Sequence, residues 1–166
     1  MNIRNVNELI NILTREVEIY QEVLKISKDK TELIVEGKIN ELDNMTKMEQ
    51  AFVIDIGKLE TLREKVVKGL SDDIGLNPSD ITISEIINHL DKEQAQELEI
   101  CKNNLLSIIN EVKTVNDLNS KLIQNSIDYI NFSINVLSSI PETNNNYSNT
   151  GDAKEGMQRN YFDVKL

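Results

Sequence analysis

Apolar residues recur at every third or fourth position over most of the chain, the spacing of a helix that buries one face. In the first stretch they are Val6, Leu9, Ile10, Leu13, Val17, Tyr20 and Leu24, which predicts a helix from about Asn5 to Glu36. Gly37 ends it, because glycine takes the left-handed conformation at a helix C-terminus without steric cost. Ile39, Leu42, Met45, Phe52, Ile56, Leu59, Val66 and Leu70 mark the apolar face of a second helix, from about Lys38 to Leu70. So short a connection folds the two helices back on each other as an antiparallel hairpin.

Ser71 to Ile81 reads as the one substantial internal loop, since Asp72, Asp73, Gly75, Asn77, Pro78 and Ser79 are turn and cap residues. Thr82 with Glu85 three positions on forms a capping-box pattern that opens a short helix to Leu90. That helix carries Ile81, Ile83, Ile86, Ile87 and Leu90 and is expected to pack near the start of the last helix. Asp91 with Gln94 repeats the capping pattern, and the last helix follows from about Asp91 to Ser138 without a glycine or proline. Pro141 stops it. At 1.5 Å per residue this helix would be ~70 Å long, against ~48 Å for each of the first two. The tail from Glu142 to Leu166 contains Asn144-Asn145-Asn146, two glycines and scattered charge, and lacks the apolar density to fold alone. The expected organisation is a helical domain over residues 1–140 and a flexible tail over 141–166. The expected fold is all-α: an antiparallel helical bundle or coiled coil of three long helices plus one short helix, with a disordered C-terminal tail.

The last helix carries one apolar stripe at its start and two at its end. With about 100° of rotation per residue, Leu98, Cys101, Leu105, Ile108, Ile109, Val112 and Val115 fall within an arc of about 120°. This core-facing stripe continues through Ile123, Ile127, Ile130, Ile134 and Leu137. A second set, Leu118, Leu122, Tyr129, Phe132 and Val136, lies beside it in the C-terminal half alone. A three-helix bundle needs one buried face per helix, so a second face on the longest helix predicts a partner-binding surface. Two alternatives would cover the same stripe: packing by another helix of the chain, or a homodimer.

Composition narrows the function further. The chain has 166 residues, which fits one domain, and its aromatic content of 4 % leaves Leu, Ile and Val to build the core. A net charge of −10 repels phosphate backbones and anionic bilayers, which argues against nucleic-acid binding and membrane adsorption. The single cysteine, Cys101, permits no intramolecular disulfide and fits a reducing compartment. The first seven residues hold no apolar signal core, and no stretch approaches the ~18 apolar residues of a membrane span. A cytoplasmic protein without stable membrane insertion is expected.

Catalytic chemistry finds no foothold. His89 is the one histidine and lacks companions at ligand spacing. Cys101 falls on the core stripe, where it serves as a small hydrophobe. Glu93, Glu97 and Glu99 are carboxylates of the kind any acidic helix shows to solvent, and Arg63 reads as an ion-pair or packing residue. No glycine-rich phosphate loop exists. No enzyme activity, cofactor or metal site is expected.

The residues also resemble a known family. The first hairpin reads Glu16-Val17-Glu18-Ile19-Tyr20, Leu24, Val35-Glu36-Gly37-Lys38-Ile39, Leu42, Thr46, Glu49-Gln50 and Leu59-Glu60-Thr61-Leu62-Arg63. The last helix reads Asn116-Asp117-Leu118-Asn119-Ser120-Lys121-Leu122-Ile123, then Ser126 and Tyr129-Ile130-Asn131. The tail brings Tyr147, Gly151 and Phe162-Asp163-Val164-Lys165. Together they resemble the FlgN family of flagellar type III export chaperones over nearly the whole chain. The resemblance implies binding of the C-terminal helical segments of the hook–filament junction proteins, protection from premature assembly and delivery to the export gate. It also implies substrate binding on the C-terminal helix and an export-gate contact through a tail tyrosine, which here would be Tyr147. The competing expectation is a structural coiled-coil adaptor or homodimer with no export role.

Overall fold

The structure is a computed structural model and describes residues 3–75, 77 and 81–139. Its elements in chain order are α1 (Ile3–Glu36), α2 (Ile39–Ile74), α3 (Ile83–Ile87) and α4 (Lys92–Ser138). The all-α architecture of three long helices and one short helix is that expected. The expected tail, and Pro141 before it, lie outside the described residues.

The chain forms two compact units, Met1–Leu122 and Ile123–Leu166, with the boundary inside α4. The first unit holds the core. Val6, Leu9, Leu13, Val66, Leu70, Ile86, Leu98, Leu105 and Val112 belong to one buried cluster built from Leu, Ile and Val. Side-chain pairs fix the helix directions. Glu16 meets Arg63 and Lys30 meets Glu49, so α1 and α2 are antiparallel. Thr14 meets Cys101 and Thr31 meets Asn119, so α1 and the first part of α4 run parallel.

α1 is buried more widely than one stripe. Ile12, Ile19, Val23 and Ile26 are buried alongside Val6, Leu9, Ile10, Leu13 and Leu24. At 100° per residue these positions span about 200° of the helix. The reason is that α1 lies between two partners. The four additional residues fall on the side that carries Glu16 and Lys30 toward α2, while Thr14 and Thr31 turn toward α4.

The turn between α1 and α2 closes as expected at Gly37, which takes φ +68°. The Lys38 amide donates to the Leu33 carbonyl at 2.9 Å and the Gly37 amide to the Ile34 carbonyl at 3.2 Å. This is the paired Schellman pattern, and it satisfies carbonyls that the helix end leaves free.

α2 runs four residues past the expected end at Leu70. Leu70 and Ser71 are both fully buried, and the Ser71 hydroxyl donates to the Lys68 carbonyl at 2.7 Å. Packing there overrides the turn preference of Asp72 and Asp73, and the helix stops at Gly75 with φ +77°. The capping box on α3 is complete: the Glu85 amide donates to Thr82 Oγ1, and the Thr82 amide to Glu85 Oε2. α3 ends at Ile87, short of Leu90, and its Ser84 accepts a hydrogen bond from Lys102 near the start of α4. The Gln94 amide donates to Asp91 Oδ1 at 2.9 Å, so Asp91 caps α4.

Candidate functional site

The buried face of α4 ends on a polar residue. Leu98, Leu105, Ile108 and Val112 are buried, and the last buried position is Asn119, 5 % exposed. Its side-chain amide is satisfied at both ends. Nδ2 donates to the Ser27 carbonyl at 2.8 Å, and Oδ1 accepts from the Thr31 hydroxyl at 2.6 Å. Around it, the Ser27 hydroxyl donates to Glu49 Oε1 and Lys30 Nζ donates to Glu49 Oε2. Groups from α1, α2 and α4 therefore share one polar layer within the first unit. Asn119 was singled out above only as part of a motif. Its place on the apolar stripe, one heptad after Val112, is the signal that marks it as buried.

The five residues expected to bind a partner lie at and beyond this point. Leu118 is exposed and Leu122 is half-buried in the first unit. In the second unit Tyr129 is 72 % exposed, Phe132 65 % and Val136 nearly half. The structure differs from expectation on the first stripe. Ile123, Ile127, Ile130, Ile134 and Leu137 were read as a continuation of the core face, yet all five are exposed, Leu137 by 68 %. No residue from Ile123 to Ser138 is buried. The length argument that set α4 apart from α1 and α2 applies to both stripes, not to the second alone. In the second unit the exposed apolar set therefore takes in these five residues as well as Tyr129, Phe132 and Val136. Ser126 and Ser133 fall between the two stripes at about 100° per residue, while Gln124 donates to Asp128 at 2.9 Å on the opposite, polar face of the helix. Such an apolar surface has no catalytic geometry; it can hide apolar area from water.

Elsewhere the chemistry is structural. Glu16 lies within the core, 2 % exposed, and accepts from Arg63 Nη1 at 2.9 Å. Burial raises its pKa above the ordinary value; Arg63 opposes that rise and Glu60 adds to it. Arg63 also donates to Glu60 at 2.8 Å, so it is the ion-pair residue expected. Tyr20 is raised as well, first by burial and then by Glu16 and Glu60. His89 Nδ1 lies 2.9 Å from the Glu85 carbonyl, at the end of α3. Cys101 is half-buried, 3.6 Å from Thr14 Oγ1. Among the described residues no group of three or more His, Cys, Asp or Glu is placed to hold a metal ion. No helix among them is long and apolar enough to cross a membrane. Tyr147, the expected export-gate contact, lies outside the described residues.

Fold and surface together are those of an all-helical protein with long packed helices, the longest of which exposes apolar residues to solvent. The family model described as FlgN protein matches residues 1–155, and the chain belongs to that family, which is one of chaperones for flagellar export. The chain is also 29 % identical over 160 residues to the uncharacterized protein YvyG of Bacillus subtilis (strain 168), covering 95 % of this chain and 96 % of that protein. No solved structure matches.

Proposed function

We propose that this protein binds the C-terminal helical segments of hook–filament junction proteins in the cytosol, keeps them from assembling early and delivers them to the flagellar export gate. One observation carries the reading. From Leu118 to Leu137, α4 exposes apolar residues of both stripes to solvent, the face an amphipathic client helix needs. Family membership supplies the context of export. The client lays its own apolar face on α4 and both surfaces leave water. Ordering the client helix opposes this by a few kcal/mol, so contact area does not convert directly into affinity. The gate contact is assigned to Tyr147, which the family match includes. No bond is made or broken, and no cofactor takes part.

The test replaces Leu122 and Tyr129 by Asp and measures binding of junction-protein C-terminal fragments beside helicity. The expected outcome is normal helicity with binding at least ~10-fold weaker, the scale of losing buried apolar anchors. Unchanged binding at normal helicity rejects this site. Light scattering covers the alternative of a structural homodimer. A doubled mass that the same substitutions abolish, with no effect on client binding, would assign the face to a second copy.

A further inference from the structure

The apolar pattern that packs α4 on α1 leaves their register ambiguous. On α1 the residues at seven-residue intervals are Val6, Leu13, Tyr20, Ser27 and Ile34; on α4 they are Leu98, Leu105, Val112 and Asn119. A slide of one heptad keeps two apolar pairs at nearly the same angles, Leu13 with Leu98 and Tyr20 with Leu105 one way, Val6 with Leu105 and Leu13 with Val112 the other. Ser27 and Asn119 break both series, and they are the two that meet. We infer that Asn119, held by the Ser27 carbonyl and the Thr31 hydroxyl, is the residue that fixes the register of α4 on α1. Slid one way, Asn119 comes level with Ile34 and Val112 with Ser27. Slid the other way, Asn119 comes level with Tyr20. Either slide takes the amide away from both partners and leaves a buried polar group to be satisfied anew. The layer is tied to α2 as well, because Ser27 and Lys30 both donate to Glu49. Lys30 and Glu49 are themselves largely buried, so α1 is braced where Asn119 docks. A single buried amide that sets register at the expense of raw apolar burial is a known device in coiled coils. Where α4 docks client helices as proposed above, the same amide determines which α4 residues remain exposed to receive them.

The chain carries its own reporter. Cys101 lies 3.6 Å from Thr14, so a cysteine at position 14 is within reach of a disulfide in the native register. One-heptad slides bring Cys101 level with Gln21 or Asn7, both exposed. Three full-length variants, Thr14→Cys, Gln21→Cys and Asn7→Cys, are cross-linked under mild oxidant, each with Asn119 and with Asn119→Leu. With Asn119, cross-linking runs through position 14. With Asn119→Leu the ratio of slipped to native cross-link rises by about fivefold or more, the population shift that two lost buried hydrogen bonds support. Exclusive cross-linking through position 14 at an unchanged rate, in a variant of normal helicity, overturns the assignment. Should Asn119→Leu lose helicity, Thr31→Val keeps the side-chain shape and removes the hydroxyl donor; an unchanged cross-link ratio there overturns it equally. No client is present in the measurement, so its failure is distinct from failure of the docking face.

Discussion

Glu16 shows what one charge does inside an apolar layer. Its carboxylate is buried beside Arg63, and burial outweighs the guanidinium in setting its pKa, which lies above the ordinary 4.5. The folded chain thus holds this proton to higher pH than the unfolded chain. Stability tied to Glu16 is fully present below about pH 4.5 and is lost as pH rises through the folded value. Glu16→Gln removes that dependence. Urea midpoints should therefore show the native chain gaining on the variant as pH falls from 7 toward 4.5. Arg63→Ala leaves a buried carboxylate without its cation and should cost about 1–3 kcal/mol at neutral pH, since Arg63 is itself part-exposed. The loss should shrink on acidification, as the carboxyl takes up its proton; a loss that grows would contradict the burial argument. Arg63 was legible in the sequence as an ion-pair residue, but its partner was not. Glu16 falls within about 60° of Leu9, Leu13 and Tyr20 around the helix, on the buried face, and that position was the available clue.

At the level of elements, the number, order and approximate ends of the helices were readable from periodicity and caps. The hairpin turn at Gly37 and the capping box on α3 rest on local chemistry, which sequence states directly. The end of α2 and the width of the buried face of α1 rest on packing between segments far apart in the chain. Ser71 stays helical because the core covers it, and Ile19 is buried because α1 lies between two helices. Two glycines separate these effects. Gly37 sits at φ +68°, so Gly37→Ala should destabilise by about 1 kcal/mol. Gly57 lies within α2, with nothing near the place a β-carbon would take. Gly57→Ala should stabilise by about 0.5–1 kcal/mol through helix propensity. Thermal unfolding of the pair checks both signs.

For the molecule as a whole, the contrast is between a core that carries stability and a helix segment that does not. Leu13→Ala empties a fully buried position and should cost about 2–5 kcal/mol. Ile130→Gln and Phe132→Gln change exposed positions and should move the unfolding free energy by no more than about 0.5 kcal/mol. Equal losses in both groups, by denaturant titration, would mean that the exposed face is part of the fold. The candidate face was legible in the excess of apolar residues on the longest helix. Its full width was not, because a stripe in phase with the core reads as core whether or not anything covers it. The double-sided burial of α1 has a consequence for the order of events in synthesis. α2 reaches α1 early, but Thr31 and Ser27 meet Asn119 across 88 and 92 residues of chain. At roughly 5–20 residues per second, one flank of the first helix waits about 4–18 s before its last neighbour leaves the ribosome. A folding helper, or the ribosome itself, has that interval in which to shield it.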